Sequence, residues 1–287
     1  MTRKELIQEL RQRGIDKVYG RALSRCLKSE LESYYHRLQE EATMPHLSVS
    51  QINMYLRCGL QYFYRYVMGM KLPPAGAMVL GGGVHKVIEE DYKEKKEKGQ
   101  NKALSEKQDM FVEEFKERIK EAELREDEKP EEMEKQGVGL IKVHHEEVAI
   151  ATEPLEVEQP FEIHFEGKDY SLIGRIDLVT IEGVIDHKTA SRKYNQNQVE
   201  TDLQLPIYSF VTGINDVGFD VLVKTKKPAV QKIRAKCDEA KAKRVKAYIA
   251  KVAEAIERQV FLPAQPGSWV CSPKWCGYWE ICHKDLG

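Results

Sequence analysis

From Leu155 onward the apolar residues of this chain fall on alternate positions: Leu155, Val157, Phe161, Ile163 and Phe165. A period of two is that of a strand with one face turned to a core. Gly167 and Lys168 mark a turn. Beyond it, Leu172, Ile173, Ile176, Leu178, Val179, Ile181, Val184 and Ile185 are apolar on both faces, the pattern of strands covered on both sides. Elsewhere the period is helical. Leu6, Ile7 and Leu10 predict a helix over 3–13 that stops at Gly14, and a second helix is expected over 20–41. Ser48 or Ser50 caps the next helix, whose aromatics (Tyr55, Tyr62, Phe63, Tyr64, Tyr66) read as core. Gly81-Gly82-Gly83 leads into a helix with Val84, Val87, Ile88 and Tyr92 on one face. Residues 93–136 read as solvated helices with a loop near 126–130. A helix over 198–214, a strand over 219–223 and a long amphipathic helix over 238–259 complete the order. Helices, strands, helix, strand, helix predict an α/β core with a mixed central sheet flanked by helices. Residues 1–43 form a helical appendage and 44–287 the main domain.

Into the most apolar strands the sequence sets Asp177, Asp186 and Lys188. If Glu182-Gly183 is a two-residue turn, Ile181 faces Val184, Val179 faces Asp186 and Asp177 faces Lys188. The diagonal pair Asp177/Asp186 then lies roughly 7–8 Å apart on one face, a gap that one divalent metal ion spans. A slip of one residue would throw Asp177 to the other face. The competing reading is an ordinary hairpin with charges in solvent. The apolar flanks argue against it, because a buried carboxylate needs a partner or a metal. Two carboxylates and a lysine on one face suit a cation held beside a phosphodiester.

Net charge is −1 with 32% charged residues, so any surface for a polyanion is a local patch. Arg192 and Lys193, and the run Lys224, Lys226, Lys227, Lys232, Arg234 and Lys236, are the candidates for phosphate contact. For each of them singly, a solvated face is the alternative. There is no apolar run long enough to span a membrane and no apolar signal core at the N-terminus; a cytoplasmic protein with reduced cysteines is expected. Cys271, Cys276 and Cys282 cluster in the tail, with Cys58 far upstream. Four thiolates suit tetrahedral zinc or an iron–sulfur cluster, and one remote ligand with three clustered ones favours the cluster. It would staple the two ends of the chain together, with Trp269, Trp275, Tyr278 and Trp279 as a shield from solvent. Cys26 and Cys237 read as structural.

The His85 helix, Gly174-Arg175-Ile176-Asp177, Asp186-His187-Lys188 and Gln204-x-x-x-Tyr208 occur in that order. Together they resemble the PD-(D/E)XK nuclease superfamily in its RecB-like exonuclease branch. With Cys58 and the cysteine tail, the chain is similar to the iron–sulfur version found in AddB-type nucleases and CRISPR-associated or phage exonucleases. The resemblance covers residues 47–285; the first two tail cysteines are spaced more widely here than is usual in that family. It implies a restriction-endonuclease-like core, Mg²⁺ or Mn²⁺ at the active site and a [4Fe–4S] cluster, with Zn²⁺ at the cysteines as the alternative. It implies that His85, Asp177, Asp186 and the backbone carbonyl of His187 hold the metal. Lys188 then acts on the attacking water or the transition state, and Gln204 and Tyr208 orient Lys188 or the DNA strand. The expected activity is exonucleolytic, on single-stranded DNA or DNA ends, in phage or bacterial recombination, repair or CRISPR-related processing. A phage recombinase or single-strand-binding protein is the expected partner. A catalytically weak DNA-binding accessory subunit is the alternative. Residues 1–41 faintly resemble the SAP-type DNA-binding hairpin, against the plainer reading of a packing or partner-binding appendage.

Overall fold

The computed structural model describes residues 1–12, 17–18, 21–26, 28, 31–32 and 46–286. The chain divides into two compact units. One comprises Met1–Leu72, Glu162–Ile173 and Tyr248–Gly287; the other comprises Pro73–Phe161 and Gly174–Ala247.

In the first unit the predicted N-terminal helix is α1 (Arg3–Gln12), which buries Leu6 and Leu10. With Leu23, Cys26 and Leu31 they make a small core of their own. The helix expected over 20–41 begins differently. Lys17–Val18 (β1) and Arg21–Ala22 (β2) pair antiparallel, and Leu23–Arg25 form one 3-10 turn. Most of the remainder of that prediction lies outside the described residues. His46–Leu47 (β3) precedes α2 (Val49–Arg57). Ser48 closes a capping box: its Oγ accepts the Gln51 N–H at 3.2 Å while Gln51 Oε1 accepts the Ser48 N–H at 2.6 Å. After α3 (Gly59–Tyr62) the aromatic run is core, as expected. Phe261 packs on Tyr62 and Phe63, and Tyr64 stacks on Tyr278 at 5.5 Å.

Among the described residues the main sheet has six strands. They are β3, β4 (Pro154–His164), β5 (Ser171–Thr180), β6 (Gly183–Ala190), β7 (Asp216–Val223) and β8 (Ala229–Lys236). The order is β3-β5-β6-β7-β8, with β4 also on β5. β6 and β7 run parallel, whereas β5/β6 and β7/β8 are antiparallel. It is the mixed sheet the sequence predicts. The last strand was not foreseen: Lys232, Arg234 and Lys236 read as part of a basic run. It is an edge strand, where cationic residues are at home.

In the second unit the helices α4 (Gly76–Lys98), α5 (Leu104–Arg118) and α6 (Pro130–His144) pack together. Val84, Val87, Ile88, Phe111, Phe115, Leu140 and Ile141 meet Leu178, Ile185 and Leu222 of the sheet. α4 does not start after the glycine run, as expected, but carries it inside. Gly83 lies against Phe111, where an added Cβ would stand 3.1 Å from the ring, so the glycines allow close packing. A buried ion pair, Lys107 Nζ to Asp91 at 2.8 Å, ties α4 to α5. Residues of opposite parity, Val184, Asp186, Phe219 and Val221, face the other way, towards α8 (Gln204–Thr212). The helix expected over 198–214 is broken into α7 (Gln196–Glu200) and α8. Asp202 causes the break: its Oδ1 accepts the N–H groups of both Gln204 and Leu205 at 2.8 Å, starting a new helix. The predicted long helix is α9 (Glu239–Glu257), and α10 (Trp279–Leu286) closes the described chain.

Candidate active site

The β5/β6 hairpin pairs Leu178 with Ile185, Val179 with Val184 and Thr180 with Gly183. The turn is therefore Ile181-Glu182, and the expected register is displaced by two residues. Thr180 sets it. Its Oγ1 accepts the Glu182 N–H at 3.2 Å and donates to the Gly183 carbonyl at 3.1 Å. Gly183 belongs to the strand because a Cβ there would stand 2.4 Å from the Asp216 carbonyl, at φ +142°. A slip of two keeps every side chain on its face. Asp177 and Asp186 thus stay on one side of the sheet, each one residue beyond the last paired rung.

Around them the second unit converges. Asp177 Oδ2 accepts the His187 N–H at 2.9 Å and lies 2.8 Å from His85 Nε2. Lys188 Nζ is 2.6 Å from Asp186 Oδ2 and donates to Gln204 Oε1 at 3.2 Å. Gln204 Nε2 donates to the Tyr208 hydroxyl, which donates in turn to the Arg175 carbonyl at 2.7 Å. The i, i+4 spacing on α8 thus presents a relay that fixes the lysine. His187 offers its main chain; its ring packs against Tyr92 and His144, with Nδ1 3.9 Å from Asp177 Oδ2.

Glu158 was not anticipated. It sits on β4 at φ +51°, a left-handed conformation rare for a non-glycine residue. That kink turns its carboxylate inward, 12% exposed and 3.8 Å from His85 Nδ1. Among the described residues, His85, Glu158 and Asp177 are the group whose ligand atoms all lie within 4.8 Å of one another. The signal in the sequence was Pro160, two residues on, which disturbs a strand's hydrogen bonding.

The electrostatics describe a deficit of positive charge. Burial and the Asp177 charge push the Asp186 carboxyl up to about 7, against the pull of Lys188. Burial and Asp177 also raise Glu158. Burial pulls His85 down, but its hydrogen bond to Asp177 and the nearby carboxylates carry it up to about 9. Asp177 is raised by burial and lowered by more through His85 and His187. Asp186 Oδ2 is buried, and its one close partner is the Lys188 ammonium. Three carboxylates crowded beside one histidine fit a hard divalent cation.

Beside this cluster lies a cleft of about 270 Å³ bordered by Gly81, Gly82, His85, Lys188 and Thr189. Because β6 and β7 are parallel, the loops after Ala190 and Val223 leave the sheet side by side, and Lys224 N–H donates to the Ala190 carbonyl at 2.8 Å. Arg192, Lys193, Lys226 and Lys227 are exposed there and Lys224 is half-buried. Lys232, Arg234 and Lys236 lie on β8 instead, where Arg234 is paired with Asp220 at 2.7 Å and Lys236 with Asp216.

The sequence profile of the PD-(D/E)XK nuclease superfamily matches residues 46–283. The chain belongs to that superfamily. The nuclease is similar in fold to a solved structure from Eubacterium rectale named "Putative exonuclease", with a TM-score of 0.52 and 14% identity over 84% of this chain and 91% of that one. The structure of SSO0001 aligns over 90% of this chain and 96% of that one, at 18% identity and a TM-score of 0.41. No curated protein sequence matches it. The mixed sheet flanked by helices is the restriction-endonuclease-like fold of the superfamily.

The four predicted cluster cysteines all fall in the first unit. Cys58 is buried and Cys271, Cys276 and Cys282 are half-buried. Gln61, three residues after Cys58, donates to Cys276 Sγ at 3.2 Å, and the Tyr278 hydroxyl donates to the Met70 carbonyl at 2.6 Å. The Cys58 segment is thus packed on the tail. Among the described residues, no three of these sulfurs approach within 4.8 Å of one another. Of the aromatics expected to screen the cysteines, Tyr278 is buried and Trp279 half-buried, whereas Trp269 and Trp275 are 68% and 48% exposed. Among the described residues, no helix is long and apolar enough to cross a membrane.

Proposed function

We propose that this nuclease is a Mg²⁺- or Mn²⁺-dependent deoxyribonuclease that hydrolyses phosphodiester bonds of single-stranded DNA or at DNA ends. One observation carries the reading: Asp177, Asp186 and Lys188 converge on one face with the lysine held by a dedicated relay. His85, Glu158, Asp177 and Asp186, with the His187 main chain, are the groups that would hold the cation. Bound there, a divalent cation would polarise the scissile phosphate and acidify a water. The chain's own residues do the rest. Lys188, kept charged beside Asp186, offers a proton donor to a phosphate oxygen as negative charge develops. Gln204 and Tyr208 hold its ammonium in place through the Arg175 carbonyl, so little reorganisation is needed at the moment of reaction. The cleft beside Gly81 and Gly82 admits a backbone close to Lys188, and the cations after β6 and β7 engage neighbouring phosphates.

The test is cleavage of end-labelled single- and double-stranded DNA with Mg²⁺ or Mn²⁺. The wild type should cut, and Asp177→Asn and Lys188→Ala should not. A wild type that binds DNA and leaves it intact in both metals would instead be the accessory subunit.

A [4Fe–4S] cluster on Cys58, Cys271, Cys276 and Cys282 belongs to the same proposal. Four-coordinate zinc at about 2.3 Å per thiolate requires sulfurs about 3.8 Å apart. A cubane sets each thiolate on a different iron and spaces them more widely. The packing of the Cys58 segment against the tail supports a shared group. Anaerobically purified protein should be brown and contain iron; colourless protein with stoichiometric zinc would overturn the assignment.

A further inference from the structure

Residues 46–72 and 259–279 contain no aspartate or glutamate, in a chain where 46 of 287 residues are acidic. They do contain Arg57, Arg65, Lys71 and Lys274. The two segments pack on each other through Phe261 and Tyr62, Tyr64 and Tyr278, and Gln61 and Cys276. They thereby build a surface of the first unit to which neither contributes a carboxylate. On it stand the two exposed indoles, Trp269 and Trp275, with ring centroids 5.8 Å apart and planes at 86°. The Lys274 ammonium lies 5.3 Å from the Trp275 centroid. Large aromatic faces left side by side in water mark an interaction site.

We infer that Trp269, Trp275 and Lys274 form a platform on which unpaired bases of a single-stranded nucleic acid stack. The inference rests on the nuclease reading and sharpens its substrate class. Every base has a flat face that an indole accepts, and a cation beside it meets the backbone. The perpendicular rings add a selection. Two bases that each stack on one indole are turned away from one another, as a flexible single strand permits and a stacked duplex does not. The absence of carboxylates from both segments, which ends at Glu280, lowers the repulsion that a polyanion would otherwise meet.

The experiment uses the full chain in EDTA, so that no strand is cut. The probes are a labelled oligothymidylate and an abasic deoxyribose-phosphate strand of equal length. The oligothymidylate should quench indole fluorescence and bind about tenfold more tightly than the abasic strand, and Trp269→Ala or Trp275→Ala should each lose about tenfold in affinity for it. Trp275→Phe should keep most of the affinity. Equal affinity of the wild type for the two strands overturns the platform, and that comparison needs no variant. Alanine variants that melt as the wild type does and bind as it does also overturn it. So do variants that lose self-association in light scattering while oligonucleotide affinity is unchanged, which would assign the patch to a second copy of the chain. The nuclease reading fails separately: a wild type that shows base-dependent quenching but cuts nothing with Mg²⁺ or Mn²⁺ loses its catalytic assignment and keeps its platform.

Discussion

Lys188 shows how much one side chain depends on its neighbours. Its ammonium touches Asp186 and Gln204, and Gln204 is itself set by Tyr208. Lys188→Ala should lower turnover at least about 100-fold without lowering the melting temperature, measured by single-turnover cleavage and calorimetry. Tyr208→Phe should act more mildly, through turnover rather than substrate affinity. Titration makes a second prediction. In the metal-free protein His85 is raised from 6.5 to about 9 and Asp186 from 3.8 to about 7. Both bind their proton more tightly in the folded chain. Stability from such groups is complete below the unfolded value and is lost as pH rises through the folded one. Asp186 therefore withdraws stability from about 4 to 7 and His85 from about 6.5 to 9. Melting temperature should fall across that range. His85→Gln should flatten the upper part, and Mn²⁺ should restore stability most at the alkaline end. Glu158 carries a different tension. Glu158→Gly should relieve about 1 kcal/mol of left-handed backbone strain while weakening Mn²⁺ binding, so calorimetry and metal titration should move in opposite directions.

At the scale of elements, the glycines decide distances. Gly137 lies against Phe111 so closely that a Cβ would stand 1.9 Å from the ring. Gly137→Ala should cost more than about 2 kcal/mol by forcing α5 and α6 apart, read by chemical denaturation. This is also the scale at which the sequence was most and least legible. Alternation at Leu155 to Phe165 announced β4, and doubly apolar runs announced β5 and β6. The common face of Asp177 and Asp186 was legible because it depends only on parity. The register was not, since the side chain of Thr180 chose the turn and Glu182-Gly183 misled. β8 was hidden because an edge strand has no need of an apolar pattern, and the glycines of α4 read as a loop because their partner, Phe111, is remote in sequence. Glu158 left only an indirect trace, Pro160 two residues on, because what distinguishes it is a backbone angle.

For the whole molecule, the cysteines link parts of the chain that are farthest apart. If Cys58 and the tail share one cluster, Cys276→Ser should lower iron content and melting temperature together, while cleavage per folded molecule changes less. Parallel elemental analysis, calorimetry and active-site-normalised rates would show it. Full stability with full iron would refute the shared group. The division into two units gives this prediction its form, because the predicted catalytic residues lie in the unit that holds none of those four thiols. The other end of the sheet has a quieter consequence. Among the described residues β8 has one row of peptide groups without a neighbouring strand, yet Lys232, Arg234 and Lys236 repeat along it. A copy of the same chain approaching that border would bring like charges level with its own, so concentrated solutions should resist fibre growth from this side until salt screens the lysines.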